Sequence, residues 1–205
     1  MEGIKYIRGP VTAEIVEKKS RFIANIRPVR SEEEANAFID AIKKKHYDAR
    51  HNCSAYIVGT NGEFTKCSDD GEPAHTAGRP MLDILKKAEL NDVCVVVTRY
   101  FGGILLGTGG LVRAYSDAVK AAIEECEIYE LSPYQSMHIA TDYSSHGKIE
   151  HMAQTNGYIL KNIVYTEGVE FDMFIPPAEE NSCISALTNL TGGKCRIETG
   201  DIVNM

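Results

Sequence analysis

Apolar and polar positions alternate with a period of two over residues 11–18 and again over residues 21–29. That pattern predicts two strands joined at Lys19-Ser20. The period then changes: Ala35, Phe38, Ile39 and Ile42 recur at helical spacing, behind Ser31 as an N-cap and Glu34 as the second half of a capping box. Residues 52–58 predict a third strand, and residues 60–77 read as a long polar loop. Residues 80–90 predict a short helix with Met81, Ile84, Leu85 and Ala88 on one face. Residues 93–98 are a continuous apolar run of strand length, the pattern of a central strand. A Gly-rich turn over residues 102–110 leads into an amphipathic helix over residues 111–125, with Leu111, Tyr115, Ala118 and Ala122 inward.

Leu131-Ser132-Pro133 punctuates the end of that helical stretch and divides the chain into domains at 1–131 and 132–205. The second part predicts a strand (135–143), a helix (145–154), and a hairpin of residues 158–166 and 169–175 turned at Glu167-Gly168. A helix (179–190) closed by Gly192-Gly193 and a last strand (194–203) follow. The order is βαββαβ, the ferredoxin-like arrangement, and the fold class of the whole is α+β.

Composition narrows the function classes. With 205 residues, 43% hydrophobic and 25% charged, the chain has globular proportions and length for one large domain or two small ones. Its longest apolar run is far short of a membrane span, and the opening MEGIKYIRGP lacks the basic and apolar regions of a signal peptide, so a cytoplasmic protein with no membrane partner is expected. Six scattered cysteines without a CxxC read as buried small hydrophobes or free thiols. The net charge of −7 excludes a uniformly basic nucleic-acid binder, but not a local basic patch. Residues 1–130 hold 18 of the Lys and Arg residues, and residues 131–205 hold 4 against 9 carboxylates.

The strongest chemical signal is the stretch from Arg99 to Arg113. A buried strand runs through Arg99, Tyr100 and Phe101 into Gly102, Gly103, Gly107, Thr108, Gly109 and Gly110, then into a helix. Such a turn can aim backbone N–H groups and the positive end of a helix at an anion, with Arg99 and Arg113 adding charge and the aromatics a face for a base. No Lys sits in the loop, so the GxxxxGK[ST] motif is absent, and Val112 breaks GxGxxG. The bland reading gives the glycines to tight turns and close packing, and the aromatics to the core. Arg99 itself has two readings: it faces solvent, or it pairs internally with Asp69, Asp70 or Glu72.

The segment 68–80 gathers Asp69, Asp70, Glu72 and His75, donors suited to a metal, but Asp-Gly is equally a turn signal and no HExxH accompanies it; no metal or cofactor is expected. A nucleophile would pair Cys53 or Cys67 with His51 or His75, though nothing in the sequence brings them together. Lys43-Lys44-Lys45, with His46 and Arg50, lies at a helix C-terminus, where it complements the dipole or meets phosphate. His146 and His151 fall on different helical faces.

These residues resemble the IMPACT/YigZ family. The family signature needs Gly78, paired aliphatics at Met81 and Leu82, then Leu85, Leu90, Val96-Val97, Arg99, two aromatics at Tyr100 and Phe101, Gly102-Gly103, Leu106 and Gly107, and every position fits. The flanking Lys19-Ser20-Arg21-Phe22-Ile23, Arg50-His51-Asn52-Cys53 and Asp69-Asp70-Gly71-Glu72-Pro73 also look like the family, and the likeness covers about residues 10–130. The tail is similar to the bacterial branch. The resemblance implies a first domain shaped like domain IV of elongation factor G and a ribosomal-protein domain, and a tail like domain V of that factor. It implies RNA or ribosome contact and a part in regulating translation, without catalysis. Eukaryotic members control translation under amino-acid stress through protein partners, using an extra domain that this sequence lacks. The expected nucleic-acid or anion site comprises Arg50, His51, His75, Arg79, the residues from Arg99 to Gly110 named above, and Arg113. A small-molecule phosphate enzyme using the same turn, and a protein-interaction module using the acidic tail, remain as alternatives.

Overall fold

The structure is a computed structural model that describes residues 4–59 and 62–205. Met1–Gly3 of the N-terminal decapeptide, and Thr60 at the start of the expected loop, lie outside the described residues. The chain forms two compact units, Ile4–Glu130 and Leu131–Met205, and its class is α+β.

In the first unit a five-stranded antiparallel sheet runs in the order β2-β3-β6-β4-β5. Its strands are β2 (Val11–Glu17), β3 (Ser20–Pro28), β4 (His51–Val58), β5 (Phe64–Ser68) and β6 (Val93–Tyr100). Helices α2 (Gly78–Lys87) and α3 (Gly107–Glu124) cover one face, and α1 (Glu32–Lys45) covers the other. This explains the unbroken apolar run of β6: Val93, Val95 and Val97 enter the core with α2 and α3, while Cys94 and Val96 enter the core with α1.

Helix α1 begins as the capping box requires at Ser31, whose hydroxyl accepts from the Glu34 N–H at 3.2 Å. The returning carboxylate of Glu34 takes the Arg30 N–H at 2.9 Å, one residue before the cap. Helix α2 is capped from outside: the Asp69 carboxylate accepts the N–H groups of Ala77 and Gly78 at 3.0 and 2.8 Å.

Three expectations change. The polar stretch 60–77 contains β5, an edge strand whose five residues are all exposed, so it carries no buried alternation to read. Ile4–Ile7 (β1) and Ile128–Leu131 (β7) pair as a separate two-stranded sheet, with Tyr6 stacked on Tyr129 at 5.6 Å. A strand, not a helix end, therefore precedes Pro133. Helix α3 starts at Gly107, so four residues assigned to the turn form its first turn. Glycine disfavours helix by about 1 kcal/mol, but the buried stripe of Leu111, Ala114, Tyr115, Ala118, Val119 and Ala122 outweighs that local preference.

The second unit is β8 (Pro133–Thr141), α4 (Tyr143–Asn156), β9 (Ile159–Tyr165), β10 (Val169–Ile175), α5 (Glu180–Thr191) and β11 (Arg196–Asn204). The sheet order β11-β8-β10-β9 and the βαββαβ succession are ferredoxin-like. Asp142 caps α4, accepting from the Ser145 N–H at 2.7 Å, and Gly157 (φ 71°) and Gly192 (φ 62°) end α4 and α5 in the left-handed region. Its core sets Met137, Ile139, Phe171 and Met173 of the sheet against Ile149 and Ala153 of α4 and Cys183 and Leu187 of α5.

Candidate functional site

Strand parity decides what the end of β6 does. Arg99 keeps the parity of Val93, Val95 and Val97, so it points into the layer beneath α3, and Tyr100 points to the α1 side. Arg99 lies opposite Phe22 of β3 and His51 of β4. Its side chain is 8% exposed, and Nη1 donates to Glu72 Oε1 at 2.6 Å. Tyr115 of α3 donates to the same oxygen at 2.9 Å. The guanidinium also lies 5.6 Å from each of the Phe22 and Phe101 rings. Of the two orientations that the sequence left open for Arg99, the structure takes the internal pair, because its parity sends it toward the buried Glu72.

Beneath this pair, burial pushes the Cys53 thiol up to about 12 and the Tyr115 hydroxyl well above its usual range. A protonated, buried Cys53 donating to the Asp69 carbonyl oxygen has none of the features of an activated nucleophile. The acidic loop is occupied in the same way. Burial raises the Asp69 carboxyl, but the N–H groups of His75, Gly78 and Ala77 outweigh it and hold it below the usual aspartate value. Asp70 takes the Lys43 ammonium at 2.6 Å and the Asn52 N–H at 2.7 Å. Asp69, Asp70 and Oε1 of Glu72 are thus engaged inside the protein, and among the described residues no group of three or more His, Cys, Asp or Glu side chains is placed to hold a metal ion.

On the other face, Tyr100 reaches the C-terminus of α1. Its hydroxyl lies 3.0 Å from His46 Nδ1 and donates to Asp48 Oδ1 at 2.9 Å, and Arg21 lies over its ring at 5.7 Å. Burial, then the Asp48 contact, raises the Tyr100 hydroxyl, and burial with nearby Lys45 lowers His46. His51 is fixed through Nδ1, 2.9 Å from the Asp70 carbonyl oxygen, so Nδ1 carries the proton and Nε2 is left as an acceptor in the neutral ring.

Around these side chains opens a cleft of about 570 Å³, lined by Asp48, Ala49, Arg50, His51, Arg99, Tyr100, Phe101 and Leu105. Five of the expected site residues (Arg50, His51, Arg99, Tyr100 and Phe101) therefore meet in one place. Phe101 is 54% exposed and Leu105 83%, so the reading that buries both aromatics does not hold for Phe101. Two residues past Leu105, α3 begins without a side-chain cap, and Gly107, Thr108 and Gly109 are exposed. Arg113 is exposed on the same helix.

The glycines divide. Gly102 is a packing glycine: a Cβ there would lie 2.0 Å from the Lys19 backbone. Gly103 (φ 84°) and Gly107 (φ 71°) serve the turn's conformation and leave open space around them. His75 and Arg79 do not join the cleft: His75 is exposed with its N–H on Asp69, and Arg79 pairs with Asp83 one turn along α2 at 2.9 Å. Asp48, Ala49 and Leu105, which no motif singled out, line the cleft, and His46 of the basic run at the end of α1 meets it through Tyr100. Counting parity forward from Val93 would have found the inner role of Arg99 and the placing of Tyr100 on the side of α1.

Comparison with known proteins places the chain in a family. The family model described as the Impact N-terminal domain matches residues 18–123, and one described as a domain of unknown function (DUF1949) matches residues 139–194. The IMPACT family member YvyE of Bacillus subtilis is 47% identical over 189 residues, covering 92% of this chain and 87% of that protein. The IMPACT family member YigZ of Escherichia coli is 36% identical over 200 residues, covering 96% and 98%. A solved structure titled as the crystal structure of a hypothetical protein superposes with a TM-score of 0.62 at 33% identity, covering 98% of both chains. Protein IMPACT of Mus musculus matches 98 residues, 45% of this chain and 30% of that protein. With its first domain matched from Lys18 to Ile123 and its bacterial relatives aligned over nearly their whole length, the chain belongs to the IMPACT family.

Proposed function

We propose that the protein is a non-catalytic RNA-binding factor, acting on the ribosome or another RNA of translation, and that the cleft of its first domain is the binding surface. The observation that carries this reading is the open cleft itself, which sets the exposed Phe101 beside Arg50 and His51, with the uncapped α3 beginning two residues past its lining residue Leu105. An exposed ring offers a stacking platform, and the arginine and free helix N–H groups offer contacts to phosphate. A closed pocket pairing His75 with Asp70 beside the turn would have favoured an enzyme, but His75 is exposed outside the cleft and the Asp70 carboxylate is taken by Lys43 and Asn52. Arg99 acts beneath this surface, holding Phe101 in place from Glu72. The acidic balance of residues 131–205 supports a protein partner for the second domain.

The test is binding of single-stranded RNA by the full chain across a salt series, for the wild type and for Arg50→Ala combined with Phe101→Ala. Loss of a stacking ring weakens binding by about 1–3 kcal/mol, and loss of one phosphate contact flattens the salt slope by about 0.7. A folded double variant with unchanged affinity and slope removes the cleft from the account.

A further inference from the structure

The guanidinium of Arg99 is half used. Nη1 is held by Glu72, but Nε is buried without a hydrogen-bond acceptor among the described residues, and Nη2 makes no hydrogen bond to them. A buried cationic donor without an acceptor is costly, and native proteins seldom leave one idle. Nε–H and one N–H of Nη2 point the same way, forming the side-on fork that matches two oxygens of a carboxylate or phosphate. Arg99 is one of the residues that line the cleft, and its Nη1 is spent on Glu72, which leaves Nε and Nη2 as its unused donors.

The surroundings say which oxyanion fits. The Phe22 and Phe101 rings lie near the guanidinium and Glu72 fixes its plane, so the fork is preorganised. Phe101, more than half exposed, is available to a flat ring attached to the anion. With Nδ1 held by the Asp70 carbonyl, the neutral form of the His51 ring presents Nε2 as an acceptor suited to a hydroxyl. The cleft volume of about 570 Å³ falls in the range of small-molecule sites. Oxyanion, hydroxyl and aromatic ring together describe a nucleoside monophosphate. Depth selects the form of phosphate: Arg99 is 8% exposed, so a phosphodiester inside a chain, with substituents leaving on both sides, cannot bring its oxygens down to the fork, whereas a terminal phosphate can.

Resting on the RNA-binding reading above, we propose that the unused edge of Arg99 is a phosphomonoester subsite at the floor of the cleft, and that it captures the phosphorylated end of an RNA strand. A free nucleoside monophosphate presents the same chemistry, and the test distinguishes the two.

The full-length wild-type protein, labelled with ¹⁵N, is titrated with inorganic phosphate, AMP, and one short single-stranded RNA carrying a 5′-phosphate, a 3′-phosphate or neither. The Arg99 Nε–H resonance, identified through the Phe22 and Phe101 ring protons, is followed together with affinity. The expected result is a downfield shift of that resonance with phosphorylated RNA, and affinity about tenfold to a hundredfold above that of the unphosphorylated strand. AMP binding as tightly as phosphorylated RNA, with the same shift, keeps the subsite and makes its ligand a free nucleotide. RNA binding with no terminal-phosphate preference and an unmoved Nε–H overturns the subsite while leaving the RNA surface intact. Absence of any RNA binding, with Nε–H unmoved by every probe, overturns both. No buried variant has to fold for any of these outcomes.

Discussion

The two larger sheets of this protein differ in how many of their faces are covered, and the difference governs what their polar residues do. The first sheet lies between α1 and the pair α2 and α3, so a polar side chain on its central strands must find a partner inside the protein. Thr98 donates to Asn52 at 2.7 Å, and Arg99 pairs with Glu72 at 2.6 Å. The second sheet packs α4 and α5 on the face of Met137 and Phe171 and leaves the opposite face open. There His138 lies 2.9 Å from Asp172, with Glu198 opposite His138 across the ladder, and all three remain in contact with solvent. Buried pairs of the first kind carry architecture, and solvated pairs of the second kind contribute little energy.

That contrast is testable from the largest effect downward. Glu72→Ala strands the Arg99 guanidinium and removes the acceptor of Tyr115, and is expected to cost about 3–5 kcal/mol, read as a drop in denaturation midpoint. Gly102→Ala, which presses a Cβ into the Lys19–Ser20 backbone, is expected to cost about 3 kcal/mol in the same assay. Asp142→Ala removes the α4 cap in the second unit, for about 1 kcal/mol. His138→Ala on the open face is expected to change stability by less than about 0.5 kcal/mol. A loss at His138 as large as that at Glu72 would break the comparison.

Acid sharpens it further. The folded Asp69 carboxyl sits below its unfolded value of about 3.9, so its contribution is fully present above that pH and is lost as pH falls toward the lower folded value. Asp69→Asn is therefore expected to flatten the acid limb of stability below pH 4, measured by denaturant midpoints across pH, while leaving the slope near neutrality unchanged.

Much of this architecture is legible in the residues, and the exceptions share a cause. The run from Val93 to Val97 and the strand over Val169–Ile175 are written by burial, the Ser31 cap by a local hydrogen bond, and each is where the pattern places it. Strand β5 is held by its ladder to β4 with every residue exposed, so it leaves no hydrophobic trace. The first turn of α3 is glycine-rich, and only the packing of Leu111 and Tyr115 makes it helical. The site shows the same division. Arg50, His51, Tyr100 and Phe101 are brought together as the motifs suggest, because β4 and β6 are neighbours. His46 and Asp48 enter through the end of α1, a tertiary contact that no local pattern encodes, and His75 and Arg79 are turned to other partners.

The central claim is that RNA meets the protein at the end of β6 in the first domain. Photocrosslinking of a short single-stranded RNA to the full chain, followed by mass mapping of the modified peptides, tests it most directly. Adducts are expected at Phe101, Tyr100 or His51. Adducts confined to residues 132–205, or none under conditions where the RNA is bound, would contradict it.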